Sequence, residues 1–280
     1  MKKIAFIGGD MRFYYASEYL KKSGHEVFFL NFRNTGLKKE DYIMVIRECD
    51  VLVLPAPLSC DGKHIRGTVN ETGELTQHDI YSLAKADGLV LTCKVPRENI
   101  FDASNIRNYM LDNTYVTDMA YITAEGALGH ILLNSACVLS GANTLIIGWG
   151  RIAKFMHRML LPFTDRITVV LRNEDEKNKL INSGRGAVGF DKLKNCAGEA
   201  DIIVNTVPHP IMGTDIIDSL KPDVYLADLA SLPGGADISY AQKRGLAAFR
   251  LPGLPGIAAP GTAGKKLAEC VLRYIDAPAN

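Results

Sequence analysis

The chain has 280 residues, 47% of them hydrophobic, and a formal net charge of +1. That length suits two domains of ordinary size with sizeable cores. Near-neutral charge without blocks of one sign gives no electrostatic footprint for nucleic acid or a membrane surface, and no apolar run reaches membrane-spanning length. The six cysteines, at 49, 60, 93, 137, 196 and 270, show no C-x-x-C spacing. They read as buried thiols of a reducing compartment, so no disulfide framework, zinc site or other metal is expected. Met1-Lys-Lys leads directly into Ile4-Ala-Phe-Ile7, too short for a signal segment, and the expected location is the cytoplasm.

In chain order, the first half alternates short apolar runs with polar helical stretches. Strands are predicted at Ile4–Ile7, Glu26–Leu30, Val51–Leu54, Gly88–Leu91 and Tyr115–Thr117, and helices near 11–23, 38–48, 76–86 and 104–110. Uniformly apolar strands alternating with helices imply a parallel sheet covered on both faces. Gly8-Gly-Asp-Met-Arg12 closes the first strand and opens a helix. It is an anion-friendly turn in which Arg12 suits a bidentate contact with a substrate carboxylate and Asp10 suits a helix cap. The stretch 58–75 is polar and irregular, a loop or short hairpin. Residues 119–139 read as one long helix between the two halves, rich in small residues and capped by Asp118. Glu125 lies in its first turns, where an acid either complements the helix dipole or faces substrate.

The middle of the chain holds its most informative segment. Asn143-Thr-Leu-Ile-Ile-Gly148-Trp149-Gly150-Arg151-Ile152-Ala153 reads as strand, G-x-G-x-x-A turn and helix, with a second strand, Ile167–Leu171, roughly 20 residues on. The glycines let the backbone turn tightly and approach a pyrophosphate, and the helix N-terminus offers unpaired N–H groups. Arg151 sits at the mouth of that turn, within reach of a pyrophosphate, a 2′-phosphate or solvent alone. Arg172 follows the second strand, where an NAD-specific site carries an acid. An arginine there suits a 2′-phosphate, with Asn173 as a further donor. Further strands are predicted at 186–190, 201–205, 224–228 and 247–250. Asn205-Thr206-Val207-Pro208-His209-Pro210 follows one of them, at the edge that borders ribose and nicotinamide in such sheets. His209 is therefore a proton donor or acceptor, or else a rim residue that only hydrogen-bonds. Asp228 ends the next strand. It reads as a cofactor contact or catalytic acid, or as the tie of the Ala230-Ser-Leu-Pro-Gly-Gly235 turn. Pro252 through Gly264 forms either a domain connector or a path that aims N–H groups and the Thr262 helix start at an anion. His25, His64, His78, His130 and His157 lack metal-ligand spacing and are given no role.

The fold expected is α/β, with two doubly wound parallel-sheet domains joined by a long interdomain helix. Residues 1–118 form a flavodoxin-like substrate or catalytic domain. Residues 119–280 form a Rossmann dinucleotide-binding domain that includes the interdomain and C-terminal helices.

Gly8-Gly-Asp-Met-Arg12, Ile122-Thr-Ala-Glu-Gly-Ala127, Gly148-Trp-Gly-Arg151, Asn205-Thr-Val-Pro-His209, Asp228-Leu-Ala-Ser-Leu-Pro-Gly-Gly235, Tyr240-Ala-Gln-Lys-Arg-Gly245, Pro252-Gly-Leu-Pro-Gly-Ile257 and Thr262-Ala-Gly264 together resemble the A subunits of dipicolinate synthase. The match spans nearly the whole chain and is strongest from 120 to 270. The resemblance implies oxidation of a dihydro- or hydroxytetrahydro-dipicolinate to pyridine-2,6-dicarboxylate, with NADP or NAD as acceptor. It also implies partnership with a flavoprotein-like dipicolinate synthase B subunit, a small dicarboxylate substrate and a role in the mother cell of a sporulating bacterium. A homodimer is a further expectation. Under this reading His209, Glu125 and Arg12 serve catalysis. Gly148, Trp149, Gly150, Arg151, Ile152, Arg172, Asn173, Thr206, Val207, Pro208, Asp228 and Ala230 serve the cofactor. Two alternatives differ in class. A D-2-hydroxyacid dehydrogenase needs an arginine that Ser231–Gly235 lacks and a late histidine that 246–264 lacks. A non-catalytic NADP-binding scaffold would bind cofactor without turnover.

Overall fold

The computed structural model describes residues 1–30, 39–59, 61–67, 72–95 and 105–277. The chain divides into two compact units, Met1–Met119 with Pro255–Asn280, and Ala120–Leu254. The first unit opens with β1 (Lys3–Ile7), α1 (Met11–Lys22), β2 (Glu26–Leu30), α2 (Lys39–Glu48) and β3 (Val51–Val53). An antiparallel hairpin of β4 (His64–Arg66) and β5 (Thr72–Thr76) follows, then α3 (Gln77–Leu83), β6 (Leu89–Thr92) and β7 (Ile106–Asn108). The five sheet strands are all parallel, in the order β2-β1-β3-β6-β7. With the hairpin set aside, that is the flavodoxin-like order. Ile4, Ala5, Phe6 and Ile7 are all buried, as a strand covered on both faces requires.

Two predictions near the end of this unit fail. Residues 104–110, expected as a helix, hold β7 and a short 3-10 turn, Tyr109–Leu111; position 104 lies outside the described residues. Ile106-Arg-Asn108 pairs with Val90–Thr92 in the sheet, and Tyr109 plugs the core with its hydroxyl donated to the Leu54 carbonyl at 2.9 Å. Tyr115–Thr117, expected as a strand, lies in α4 (Asn113–Asn134). Tyr115, Met119 and Ile122 are buried at helical spacing, so the 3.6-residue period overrides the local strand preference of Tyr-Val-Thr. The helix therefore starts before Asp118 and stops before 139. Its first turn is tied by Asp112, which accepts from the Tyr115 N–H at 2.9 Å.

The second unit carries β8 (Thr144–Ile147), α5 (Arg151–Leu160), β9 (Ile167–Val170), α6 (Glu174–Asn182), β10 (Gly186–Val188), α7 (Leu193–Glu199) and β11 (Ile202–Asn205). Then come α8 (Thr214–Ile217), β12 (Tyr225–Asp228), α9 (Ile238–Lys243) and β13 (Ala247–Arg250). Its six strands are parallel in the order β10-β9-β8-β11-β12-β13. This is the Rossmann order, with its reversal point between β8 and β11. One sheet face packs on a core that includes Ile146, Met156, Val169 and Val204. The other packs on a core that includes Leu145, Ile203, Ile217 and Leu226.

A short helix, α10 (Leu254–Ala258), starts where the chain leaves this unit. The last helix, α11 (Pro260–Asp276), corrects the expected domain assignment, because it belongs to the first unit. It packs along α1, and a Cβ on Gly264 would sit 2.7 Å from the Arg12 carbonyl oxygen and 2.9 Å from the Ala16 nitrogen. Only glycine allows that approach. Arg273 pairs with Asp112 at 2.7 Å, and the Tyr274 hydroxyl donates to the Asn108 carbonyl at 3.1 Å. The Pro252–Gly264 stretch is mostly helical: α10 occupies part of it, and α11 starts at Pro260, two residues before Thr262. Proline at the first helical position fits, since its missing N–H would have had no partner there. Among the described residues no helix is long and apolar enough to cross a membrane, and no cluster of metal-ligating side chains occurs. Burial pushes the Cys49 and Cys270 thiols up to about 12, so neither supplies thiolate at neutral pH.

Candidate functional site

In the second unit the site begins where β8 ends. Gly148 has φ +98°, a left-handed conformation that strains any residue with a side chain. A Cβ there would lie 2.5 Å from Thr206 Oγ1 and 2.9 Å from Val207 Cγ2. Strand order explains the crowding: β8 and β11 are neighbours, so the turns that follow them meet. Thr206 is fixed in turn, its N–H and hydroxyl both donating to the Ile147 carbonyl, at 2.9 and 2.8 Å. Gly150 caps α5 without any side-chain hydrogen bond, and no heavy atom stands within 4 Å of where its Cβ would be. The space beside Gly150 is thus open next to the first turn of α5, whose N–H groups have no partner within the helix, and Ala153 packs fully buried one turn on. This is a cradle shaped for a phosphate group.

Trp149 is half-buried and held from three sides. Its indole N–H donates to Glu176 at 3.0 Å, the Lys154 ammonium lies 5.7 Å from its ring centre, and His157 meets it edge-on at 5.4 Å. The hydrogen bond and charge of Lys154 hold the Glu176 carboxyl below its usual range. Burial, with help from the Arg185 charge, pushes His157 downward, so it packs as a neutral ring. Arg151 is exposed at the first position of α5, and Ile152 is half-buried beside it.

Arg172 is exposed just past β9, with its guanidinium 5.3 Å from the Phe190 ring centre. Asn173 caps α6: its side-chain oxygen accepts from the Glu176 N–H at 2.9 Å, which leaves the amide nitrogen to donate. The first turn of α6 carries Glu174, Asp175 and Glu176. Lys177 neutralises Glu174, and Lys154 and Lys179 neutralise Glu176.

After β11, Thr206 and Val207 are half-buried while Pro208 and His209 are exposed. Asn205 braces this loop by accepting from the Val207 N–H and donating to the Val207 carbonyl, both at 3.1 Å. Asp228 behaves differently from its expected role as a cofactor contact. It is fully buried. One oxygen accepts from the Asn205 amide at 2.8 Å and the Ala230 N–H at 3.2 Å, and the other from Gly235 and Ala236 at 3.0 and 3.4 Å. Its carboxylate is committed to tying the 229–236 loop to β11. Ala230 is likewise buried within that tie. Gly235 has no room for a side chain against the Asn205 amide and the Val207 carbonyl.

Sequence reasoning gave no role to Arg250, at the end of β13. It lies opposite Asp228 in the sheet register, with Nη2 buried 4.0 Å from that carboxylate and without a hydrogen bond. The pairing joins residues far apart in sequence, so no local pattern signals it. Glu125 is exposed on α4.

In the first unit the structure corrects the expectation for Arg12. It is buried rather than presented to solvent, and its Nε and Nη2 donate to Asp10 at 2.8 and 2.7 Å. Its Nη1 faces the Met119 sulfur at 3.8 Å. Burial works to raise the Asp10 carboxyl, but the hydrogen bonds and charge of Arg12 outweigh it and hold Asp10 low. The bidentate contact foreseen for substrate is made internally. Asp10 does cap α1, accepting from the Arg12 N–H at 3.1 Å. The α10 backbone lies against the same carboxylate, where a Cβ on Gly256 would come within 2.6 Å.

The chain as a whole is similar to known proteins. Residues 3–105 match the family described as the N-terminal domain of the dipicolinate synthase A subunit. The chain is 26% identical over 293 residues to the dipicolinate synthase A subunit of Bacillus subtilis (strain 168), covering 98% of this chain and 95% of that protein. The crystal structure of the dipicolinate synthase A subunit from Bacillus halodurans superposes with a TM-score of 0.82 at 23% identity, covering 99% and 98% of the two chains. The fold is also shared with more distant solved structures. NAD-dependent formate dehydrogenase from Staphylococcus aureus in complex with NAD gives a TM-score of 0.54 at 16% identity, covering 98% and 96%.

Proposed function

We infer that this chain, similar in sequence and fold to the A subunits of dipicolinate synthase, oxidises a dihydro-dipicolinate, or a hydroxytetrahydro-dipicolinate that also loses water, to pyridine-2,6-dicarboxylate with NADP or NAD as acceptor. The observation that carries the reading is the Gly148–Gly150 cradle at the reversal point of a Rossmann sheet, inside a chain whose resemblance to those proteins runs end to end. The donor set fits a dinucleotide. The first turn of α5 offers N–H groups without helical partners beside the open space at Gly150, Arg151 stands at its start, and Arg172 follows the second strand. When bound, the nicotinamide supplies a hydride acceptor.

The remaining work falls to side chains. Gly148, Trp149, Gly150, Arg151 and Ile152 hold the pyrophosphate. Arg172 and Asn173 hold the adenosine ribose with its 2′-phosphate, and Thr206, Val207 and Pro208 line the nicotinamide side. Asp228 and Ala230 act indirectly, by fixing the loop beside them. His209, exposed on the braced loop after β11, exchanges the proton that accompanies hydride loss, and Glu125 helps to orient substrate. Aromatisation supplies much of the driving force, so the protein mainly positions the ring and binds two carboxylates. The same reading includes a homodimer, a flavoprotein-like B subunit and action in the mother-cell cytoplasm during sporulation.

Trp149 is the chain's single tryptophan and lies in the proposed cradle. Titration with NADPH or NADH should quench its emission saturably and give energy transfer to the reduced nicotinamide. An unchanged tryptophan signal at saturating cofactor would contradict the site.

A further inference from the structure

With Arg12 consumed by Asp10, the first unit needs another cation if it is to hold a dicarboxylate. The β4–β5 hairpin carries one. Arg66 is half-buried, and among the described residues its guanidinium has no hydrogen-bond or ion-pair partner. Its backbone is docked on the carboxyl end of β1. A Cβ on Gly8 would overlap the Arg66 carbonyl oxygen, and Gly9 donates its N–H to the Gly67 carbonyl at 3.2 Å. Burial works to raise the Asp10 carboxyl, and Arg66 is, after Arg12, among the charges that hold it low, so its guanidinium lies near that buried pair.

Two residues earlier, on the same face of β4, stands His64. The pairing with β5 shifts register between His64 and Arg66, but burial still alternates: Ile65 is fully buried in the core, and residues 64 and 66 are half-buried on the other side. His64 Nδ1 meets Asp61 at 2.6 Å. Asp61 is itself fixed, accepting from the Ser59 hydroxyl and from the Lys63 and His64 N–H groups at 2.8–2.9 Å. The imidazole is thereby oriented, and its Nε2 has no partner among the described residues. An imidazole ring braced through one nitrogen by a carboxylate offers the other to a ligand.

We propose that Arg66 and His64 of the hairpin form a carboxylate subsite that takes one end of the dicarboxylate substrate. Arg66 supplies the fixed positive charge and a planar fork of donors, and His64, with a hydrogen on both ring nitrogens, donates Nδ1–H to Asp61 and Nε2–H to the substrate carboxylate. Arg12 and Asp10 are positioning residues that hold the β1 turn on which the hairpin rests. The proposal rests on the dicarboxylate reading given above.

Calorimetric binding of pyridine-2,6-dicarboxylate and of pyridine-2-carboxylate to the full chain tests it. The wild type should prefer the dicarboxylate. Arg66→Ala should weaken dicarboxylate binding about tenfold or more and leave the monocarboxylate nearly unchanged, closing the gap between them. Arg66→Lys should restore part of the gap, and His64→Ala should narrow it. Retention of the full wild-type gap in Arg66→Ala and His64→Ala would overturn the hairpin assignment and leave the dicarboxylate reading standing. Failure of the wild type to bind pyridine-2,6-dicarboxylate would overturn both, while the dinucleotide cradle would still be judged by Trp149.

Discussion

At the scale of single residues, the proposed preference for NADP turns on Arg172. It stands exposed where an NAD-specific sheet carries an acid, with its guanidinium against Phe190 and free to meet a 2′-phosphate from the other side. A charge-assisted contact to phosphate is worth roughly 1.5–3 kcal/mol. Arg172→Asp should then weaken NADP(H) by about tenfold or more and spare NAD(H), measured by the Trp149 titration. Equal affinity for the two cofactors before and after the change would remove Arg172 from the site. Asp10 and Arg12 make a different kind of pair. Both are buried, so removing one partner leaves a buried charge uncompensated, at a cost of about 3–5 kcal/mol. Asp10 is held below its unfolded value, so it stabilises the fold above about pH 4 and loses that contribution as pH falls through its lowered value. Denaturant melts of Asp10→Asn should show lower stability at pH 7 and a shallower loss of stability below about pH 4 than the wild type. Parallel pH curves for the two proteins would show that Asp10 contributes nothing to acid sensitivity.

At the scale of elements, the second unit is legible because its signals are local. Each of its strands is a short apolar run bounded by polar or glycine residues, and the strand–turn–helix at Gly148 is contiguous in sequence. The first unit reads less well where two periods compete. Tyr115-Val-Thr117 has strand-like residues, and only the burial of Tyr115, Met119 and Ile122 on one face shows the helix. Pro260 is a readable helix start, whereas the packing of α11 on α1 is not, since it joins opposite ends of the chain. The same holds for the site. Gly148 and Trp149 announce themselves, but the Asp228–Asn205–Arg250 cluster is assembled across three strands. The Asp61–His64 contact depends on a loop conformation that spacing alone does not specify. The β11 loop gives the element-level prediction. His209 is exposed on a loop braced by Asn205 and flanked by Pro208 and Pro210, so its truncation should not disturb the fold. His209→Ala should lower kcat by about 10²-fold or more while cofactor affinity is kept. Near wild-type kcat would make it a rim residue, with the proton leaving through water.

At the scale of the whole molecule, the proposed oxidation of a small dianion has to be met by a chain with a formal net charge of only +1. Positive potential is instead concentrated locally, at the α5 N-terminus with Arg151 and Arg172 in one unit and at Arg66 in the other. The chemistry required is modest: one hydride and one proton leave the dihydropyridine ring as it becomes aromatic. The most direct test supplies the full chain, together with a dipicolinate synthase B subunit, with freshly generated dihydrodipicolinate-type substrate and NADP or NAD. Reduced cofactor and pyridine-2,6-dicarboxylate are then followed together. The two should appear in equal amounts, and neither should form without the chain. Cofactor that binds yet stays oxidised, with no enzyme-dependent pyridine-2,6-dicarboxylate, would contradict the proposed oxidation.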